Sequence, residues 1–76
     1  MNATDIVNII GNARKTAELC GVSITQVYRM TYPKGYNNGS GNRIDPKHFK
    51  KILKYSNQNN LGITKNDLWQ MLPEGE

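Results

Sequence analysis

The sequence contains little of what stabilises secreted or membrane proteins. It has one cysteine, so no internal disulfide can form and a reducing compartment is expected. No apolar run approaches the roughly 18 residues of a membrane-spanning helix. The apolar stretch at residues 6–10 is too short for a signal peptide and follows no basic segment. We therefore expect a cytoplasmic protein without a membrane partner.

The chain is also short. It has 76 residues, and domains usually contain about 50 to 250 residues, so we predict a single domain over residues 1–76. A chain of this size buries only about 60% of the surface that its unfolded form exposes. The core must therefore be small.

Clusters of reactive side chains are missing as well. Cys20 and His48 are the only residues of their kinds, so neither a metal-ligand cluster nor a Cys-His couple can be assembled locally. Gly35, Gly39 and Gly41 lack the preceding strand and the following Gly-Lys-Ser/Thr of a phosphate-binding loop. Cys20 is expected to be a buried structural cysteine. His48 is expected to be a neutral surface side chain, with a phosphate contact as the alternative. We expect no enzymatic activity, metal, cofactor or small-molecule ligand.

Positive charge is concentrated in the middle of the sequence. The net charge is +4, but residues 14–54 hold nine basic residues and only Glu18 and Asp45 as acids. Such a segregated field favours a polyanionic partner such as nucleic acid. The alternative is a mildly basic surface without function, which many small domains have.

Helix start signals occur at five places in the sequence. Residues that can cap a helix precede apolar residues at helical spacing, and they are Asn2, Asn12, Ser23, Asp45 and Thr64. The predicted helices span about residues 3–10, 13–20, 24–32 and 46–55, with a last short helix after residue 64. Residues 56–60 are predicted to be a loop, and residues 32–44 can alternatively close as a short ribbon. The predicted fold is all-α, a small bundle of four to five short helices.

The predicted core side chains recur every three or four residues along these helices. They are Ile6, Ile9, Ile10, Ala13, Ala17, Cys20, Val27, Met30, Phe49, Ile52 and Leu53, with Leu68, Trp69, Met71 and Leu72 in the last helix. Trp69 is expected either to close the core over Ile6 or Phe49 or to lie at a dimer contact.

Three residues have the spacing of a helix-turn-helix. Ala17 is followed four positions later by Gly21, and Val27 comes six positions after that. Two helices that cross at roughly 90–120° through a short turn need a small side chain at the crossing, a glycine that accepts positive φ, and an apolar side chain beneath the second helix. The spacing predicts a helix-turn-helix over about residues 13–32, followed by a long Gly/Asn-rich loop over about residues 33–44.

The same segment carries a resemblance to a known family. Residues 15–29, KTAELCGVSITQVYR, resemble without a gap the helix-turn-helix of phage repressor, Cro and CII-like regulators in the lambda repressor-like superfamily. Residues 43–49, RIDPKHF, are similar to the start of the next helix in Cro-type proteins, so the resemblance covers about residues 6–70. The chain departs from the family after Pro33, where the connection is longer and richer in glycine and asparagine.

The resemblance implies a recognition helix over about residues 23–32 that lies in the major groove of DNA. Base contacts then fall to its exposed side chains: Ile24, Thr25, Gln26, Tyr28 and Arg29. Arg29 can bind guanine O6 and N7, and Gln26 can bind adenine N6 and N7. The methyl groups of Ile24 or Thr25 can contact a thymine methyl.

Phosphate contacts are expected at the edges of this surface. Arg14 and Lys15 start the helix that crosses the DNA backbone in this family, and Ser23 is mainly a cap whose backbone can approach a phosphate. The remaining expected contacts are Lys34, Asn37, Asn38, Arg43 and Lys47. The loop that holds most of them is either a wing that contacts DNA or only a flexible connection.

These features predict a sequence-specific, double-stranded DNA-binding transcription regulator. The resemblance makes it a Cro-like phage or prophage repressor that binds operator half-sites in a bacterial or phage-infected cell. A homodimer is expected, at least on DNA, because dimers of this class bind two half-sites about 34 Å apart. The alternative is an antitoxin-type or other protein-interaction module that docks an acidic partner.

Overall fold

The computed structural model describes residues 1–37, 39 and 41–71. Within these residues five α-helices follow one another: α1 (Ala3–Ile10), α2 (Ala13–Cys20), α3 (Ile24–Thr31), α4 (Phe49–Asn59) and α5 (Lys65–Trp69). A single 3₁₀ turn, Pro46–His48, precedes α4. The described residues contain no strand, so the predicted all-α class is confirmed and the alternative ribbon over residues 32–44 is wrong. None of the described helices is long and apolar enough to cross a membrane.

Local side-chain caps fix where the helices begin. Asn2 and Asp5 form a capping box at α1, in which each side chain accepts a hydrogen bond from the backbone N–H of the other residue. Thr64 and Asp67 form the same box at α5, and the Asn12 side chain caps α2. Because these caps are encoded within three residues of each helix start, α1 and α2 have the predicted boundaries.

α3 ends one residue earlier than predicted. Tyr32 follows its last residue and is extended, with ψ 149°. Tyr32 also precedes Pro33, and the proline ring clashes with a preceding residue in the helical conformation. The neighbouring proline therefore sets the end of α3 at Thr31.

α4 is longer than predicted, and the predicted loop at residues 56–60 is wrong. The helix continues to Asn59. Asn60, the residue that caps its end, has the left-handed conformation at φ 54°. Ser56 is buried on this extra turn, where its Oγ accepts a hydrogen bond from the Ile63 N–H at 2.9 Å. The polar composition of residues 56–60 predicted a loop, but the hydroxyl of Ser56 lies in the interior.

Two hydrophobic clusters form the core. The larger one joins all five helices, including α3 through Met30, and its most completely buried side chains are Phe49, Ile6, Ile44, Ile52 and Leu68. The smaller one consists of Val7 from α1, Ala17 from α2 and Val27 from α3, so it lies where these three helices meet.

Most predicted core residues are buried, with a few differences. Ile9, Ala13 and Leu53 are only partly buried. Thr16 is fully buried without having been predicted, and its Oγ1 donates a hydrogen bond to the Asn12 carbonyl at 2.9 Å. The hydroxyl satisfied within its own helix lets this polar residue occupy a core position.

The last predicted apolar surface is divided between core and solvent. Leu68 and Met71 are buried. Trp69 is 45% exposed, and its ring packs against Phe49 with centroids 4.9 Å apart. Leu72 lies outside the described residues. Trp69 therefore covers Phe49, one of its two expected core partners, while keeping a large free face.

Ser56→Ala is expected to lower the free energy of unfolding by about 1–3 kcal/mol, because the buried N–H of Ile63 loses its acceptor. Urea denaturation followed by circular dichroism measures the change. Asn57→Ala is the matched control, since Asn57 is the exposed neighbour on the same turn of α4. Equal unfolding midpoints for the two variants would contradict the prediction.

Candidate nucleic-acid interface

α2 and α3 are joined by a short turn at residues 21–23. Gly21 has the left-handed conformation at φ 70°, and its N–H donates to the carbonyls of Ala17 and Glu18. Val27 is completely buried in the cluster that contains Ala17 and Val7. The small side chain, the left-handed glycine and the buried valine that the sequence predicted are all found at their positions.

The face of α3 opposite the core is open to solvent. Val27 and Met30 are the only buried residues of this helix. Ile24 and Tyr28 are large apolar side chains with 38% and 49% exposure. All of the predicted base-contacting side chains are exposed, namely Ile24, Thr25, Gln26, Tyr28 and Arg29. The face thus offers methyl, amide, phenol and guanidinium groups to a partner.

Gln26 also has a local role that the sequence analysis missed. Its Oε1 accepts a hydrogen bond from the Ser23 N–H at 3.1 Å, and the Gln26 N–H donates to Ser23 Oγ at 3.1 Å. This is a capping box, and the signal for it was the Ser-x-x-Gln spacing. A bidentate contact to adenine would need Oε1 as acceptor and Nε2 as donor. In this conformation the oxygen already has a backbone partner.

The predicted phosphate contacts at the start of α2 lie on the surface. Arg14 and Lys15 are both exposed in its first turn. The Lys15 N–H donates to the Asn12 side chain at 2.8 Å, which fixes the backbone from which both cations extend. The Ser23 side chain is the cap of α3, as predicted.

The loop between α3 and the 3₁₀ turn holds most of the other predicted phosphate contacts. Lys34, Asn37 and Arg43 are exposed, and Asn38 lies outside the described residues. The side chains of Lys34 and Arg43 both lie beside Gly41. The structure therefore brings together two cations that are nine positions apart in the sequence.

Lysines form an exposed basic surface on α4 and the turn before it. Lys47, Lys50, Lys51 and Lys54 are all exposed, and α4 contains no acidic residue. Lys51 extends toward the turn between α2 and α3, where its Nζ lies 3.9 Å from the position that a Cβ on Gly21 would occupy. Only Lys47 of this group was predicted to contact phosphate.

His48 is buried, so the prediction of a surface side chain is wrong. Only 4% of its surface is exposed, and its Nδ1 has no hydrogen-bond partner. Burial lowers the pKa of His48, the cations of Lys47 and Lys51 lower it further, and only Asp45 opposes them. Asp45 predicted a helix start at residue 46, but not that the first turn is a 3₁₀ turn, and this turn places the His48 side chain in the interior.

Cys20 is buried in the larger cluster, as predicted. Burial raises the pKa of its thiol, and the cation of Lys51 opposes the shift. A buried thiol with a raised pKa is a poor nucleophile, because the thiolate is the reactive form. Cys20 therefore behaves as a small apolar side chain of the core.

The described part of the chain contains no group of three or more metal-ligating side chains that could hold an ion. Comparisons with known proteins found no match, since no family model, no curated protein and no solved structure matches this sequence. The interface is therefore argued from its own residues.

Gly21→Val is expected to destabilise the domain by about 1–2 kcal/mol, because a residue with a Cβ resists the left-handed conformation. Gly21→Asn is the matched control, since asparagine tolerates that conformation. The nearest atom to a Cβ at this site is a flexible lysine terminus, so conformation and not steric overlap separates the two variants. Thermal unfolding measures both, and equal losses would refute this explanation.

The buried imidazole predicts a pH dependence of stability. An unfolded His48 titrates near 6.5, and the folded pKa is lower. Below about pH 6.5 the unfolded chain binds a proton that the folded chain does not. The free energy of unfolding is therefore expected to fall as the pH drops below that value, and to level off above it.

His48→Gln removes this titration and is expected to flatten the pH profile between about pH 7.5 and about pH 5.5. Urea denaturation at several pH values measures both profiles. The carboxylates remain in both proteins, so the difference between the two profiles isolates the histidine. Parallel profiles would show that His48 titrates in the folded protein as it does in the unfolded chain.

Proposed function

We propose that the chain is a sequence-specific, double-stranded DNA-binding transcription regulator of the Cro-like phage or prophage repressor kind. The observation that supports it best is the outward face of α3, which follows a left-handed glycine turn and is fixed from below by Val27 and Ala17. In this proposal α2, the turn and α3 form a helix-turn-helix, and α3 is the recognition helix.

The dimensions of α3 suit a DNA groove. An α-helix with its side chains is about 10–12 Å in diameter, and the major groove is about 12 Å wide, so the groove admits a helix such as α3. Its N-terminal residues, Ile24 and Thr25, would lie against base edges. Arg14 and Lys15 at the start of α2 would contact the phosphates of the strand that α2 crosses.

The exposed side chains of α3 determine which DNA bases it can contact. Arg29 presents a guanidinium that can bind guanine O6 and N7. The methyl groups of Ile24 and Thr25 suit thymine methyls. Gln26 keeps its oxygen on Ser23, so we assign it the role of holding the first turn of α3 in place. Its free Nε2 can still donate to an acceptor.

Repression by occupancy is the proposed mode of action, because a bound domain at a promoter excludes polymerase. We propose a homodimer on DNA, with two copies of α3 in successive half-sites about 34 Å apart. Trp69 supports a protein contact, since 45% of its surface is exposed even with Lys65 over its ring at 5.3 Å. Exposed tryptophans are enriched at interfaces between proteins.

The second candidate function is a protein-interaction module of antitoxin type. The exposed lysines of α4 favour it, because they lie outside the helix-turn-helix and suit an acidic partner. Titration against mixed duplexes at two salt concentrations separates the candidates. Binding that survives competitor DNA supports the repressor, whereas salt-sensitive binding without sequence preference weakens that proposal.

Arg29→Ala is expected to relax sequence choice by about 1–3 kcal/mol at one base pair, while Lys15→Ala weakens binding to all sequences and lowers the salt slope by about one. Selection of duplexes from a random pool, followed by titration at several salt concentrations, measures both effects. Lys54→Ala on α4 is the control for loss of one charge outside the proposed surface. If both variants select and bind DNA as the parent chain does, α3 is not the reading helix.

A further inference from the structure

The loop after α3 is attached to the end of that helix. The carbonyl oxygen of Tyr32 accepts hydrogen bonds from the N–H groups of Gly41 at 3.0 Å and Asn42 at 2.9 Å. Gly39 lies so close that an added Cβ would be 2.6 Å from Tyr32 Cβ. The ring of Tyr36 packs edge-on against Tyr32, with centroids 5.3 Å apart. The described part of the loop therefore forms one unit with the last turn of α3.

Asn42 ties the other end of the loop to α1. Its carbonyl oxygen accepts from the Ala3 N–H at 3.0 Å. Its Oδ1 accepts from the Thr4 N–H at 2.9 Å and from Thr4 Oγ1 at 3.0 Å. Asn42 thus supplies partners for the first two amide groups of α1, and it holds φ 58° to do so. Hydrogen bonds within the chain therefore hold the described residues of the loop at both ends.

This loop carries two cations, Lys34 and Arg43, and the nearest acid in sequence is Asp45, two residues after Arg43. Lys34 Cβ and Arg43 Nε each lie 3.8 Å from the position of a Cβ on Gly41, so the two side chains share one patch. Residues 19–44 contain Arg29, Lys34 and Arg43 and no carboxylate. The Lys34 ammonium lies at the end of a flexible side chain that starts beside the Arg43 guanidinium, so both charges can reach one anion between them.

We propose that this loop is a pre-ordered second DNA contact. In this contact Lys34 and Arg43 together bind the sugar-phosphate strand beside the groove that α3 occupies. The inference rests on the proposed function, because α3 places the loop on the duplex. Phosphate oxygens are the occupant that fits, since Lys34 and Arg43 provide an ammonium and a guanidinium, the two side-chain cations that bind phosphate. The contact adds affinity and carries no sequence information.

Removal of the charges of Lys34 and Arg43 tests whether these side chains bind phosphate. The double variant Lys34→Ala, Arg43→Ala is compared with the double variant Lys50→Ala, Lys54→Ala, which loses the same charge from α4. The probes are a duplex that the parent chain selects from a random pool and a mixed-sequence competitor duplex. The loop variant is expected to lower the salt slope by about two, with the ratio of specific to competitor affinity unchanged. The control variant is expected to lower it by much less.

Loop release tests the pre-ordering. Asn42→Gly keeps the left-handed backbone accessible but removes the side-chain acceptor of Thr4. The two cations remain, so the salt slope is expected to stay that of the parent. Affinity is expected to fall several-fold on both duplexes, because the released loop must be ordered on binding. Circular dichroism at the assay temperature ensures that each variant is folded.

The outcomes separate this inference from the proposed function. If the parent chain selects a duplex and the loop double variant keeps the parent salt slope, only the proposed phosphate contact is overturned. Equal slope losses in the two double variants also overturn it, because net charge then explains the effect. An Asn42→Gly variant that binds as tightly as the parent overturns the pre-ordering. A parent chain that binds no duplex overturns both proposals.

Discussion

The close contact of Ala17 with Val27 is the constraint on which the arrangement of the first three helices depends. Both side chains lie in the cluster that also contains Val7 of α1, so each helix is fixed by the other two. The contact exists only because Gly21 turns the chain in a left-handed conformation directly after α2. Any larger side chain at position 17 would separate α2 from α3 and tilt the exposed face of α3. The orientation of that face is therefore set by residues that no ligand touches.

Most of the helices could be predicted from the sequence because their start signals are local. The hydrogen bonds between residues distant in sequence could not be predicted. Asn12, Ser23 and Thr64 each cap a helix through an amide three residues away, so their effect is visible in any short window of sequence. Ser56 and Asn42 instead bond to Ile63 and Thr4, which lie 7 and 38 residues away. No spacing rule within a helix indicates such partners. Burial of His48 was missed for the same reason.

The candidate interface shows the same division. The exposure of Thr25 and Arg29 followed from the position of Val27 on a helix of known period. The convergence of Lys34 and Arg43 on Gly41 did not, because it depends on a backbone path with positive φ at several residues. Charge counting found that the middle of the chain is basic, but it could not tell which cations are neighbours. The tertiary path of the loop decides that.

Asn42 also has a consequence for the order in which the chain folds. The amide groups of Ala3 and Thr4 find their partners on a residue 38 or 39 positions later, whereas α2 and α3 carry their caps with them. During synthesis on a ribosome, α1 emerges before this loop, so its first two amide groups lack these partners until residue 42 has been made. Although α1 precedes α2 and α3 in the chain, its leading turn is completed only after both of them have been made.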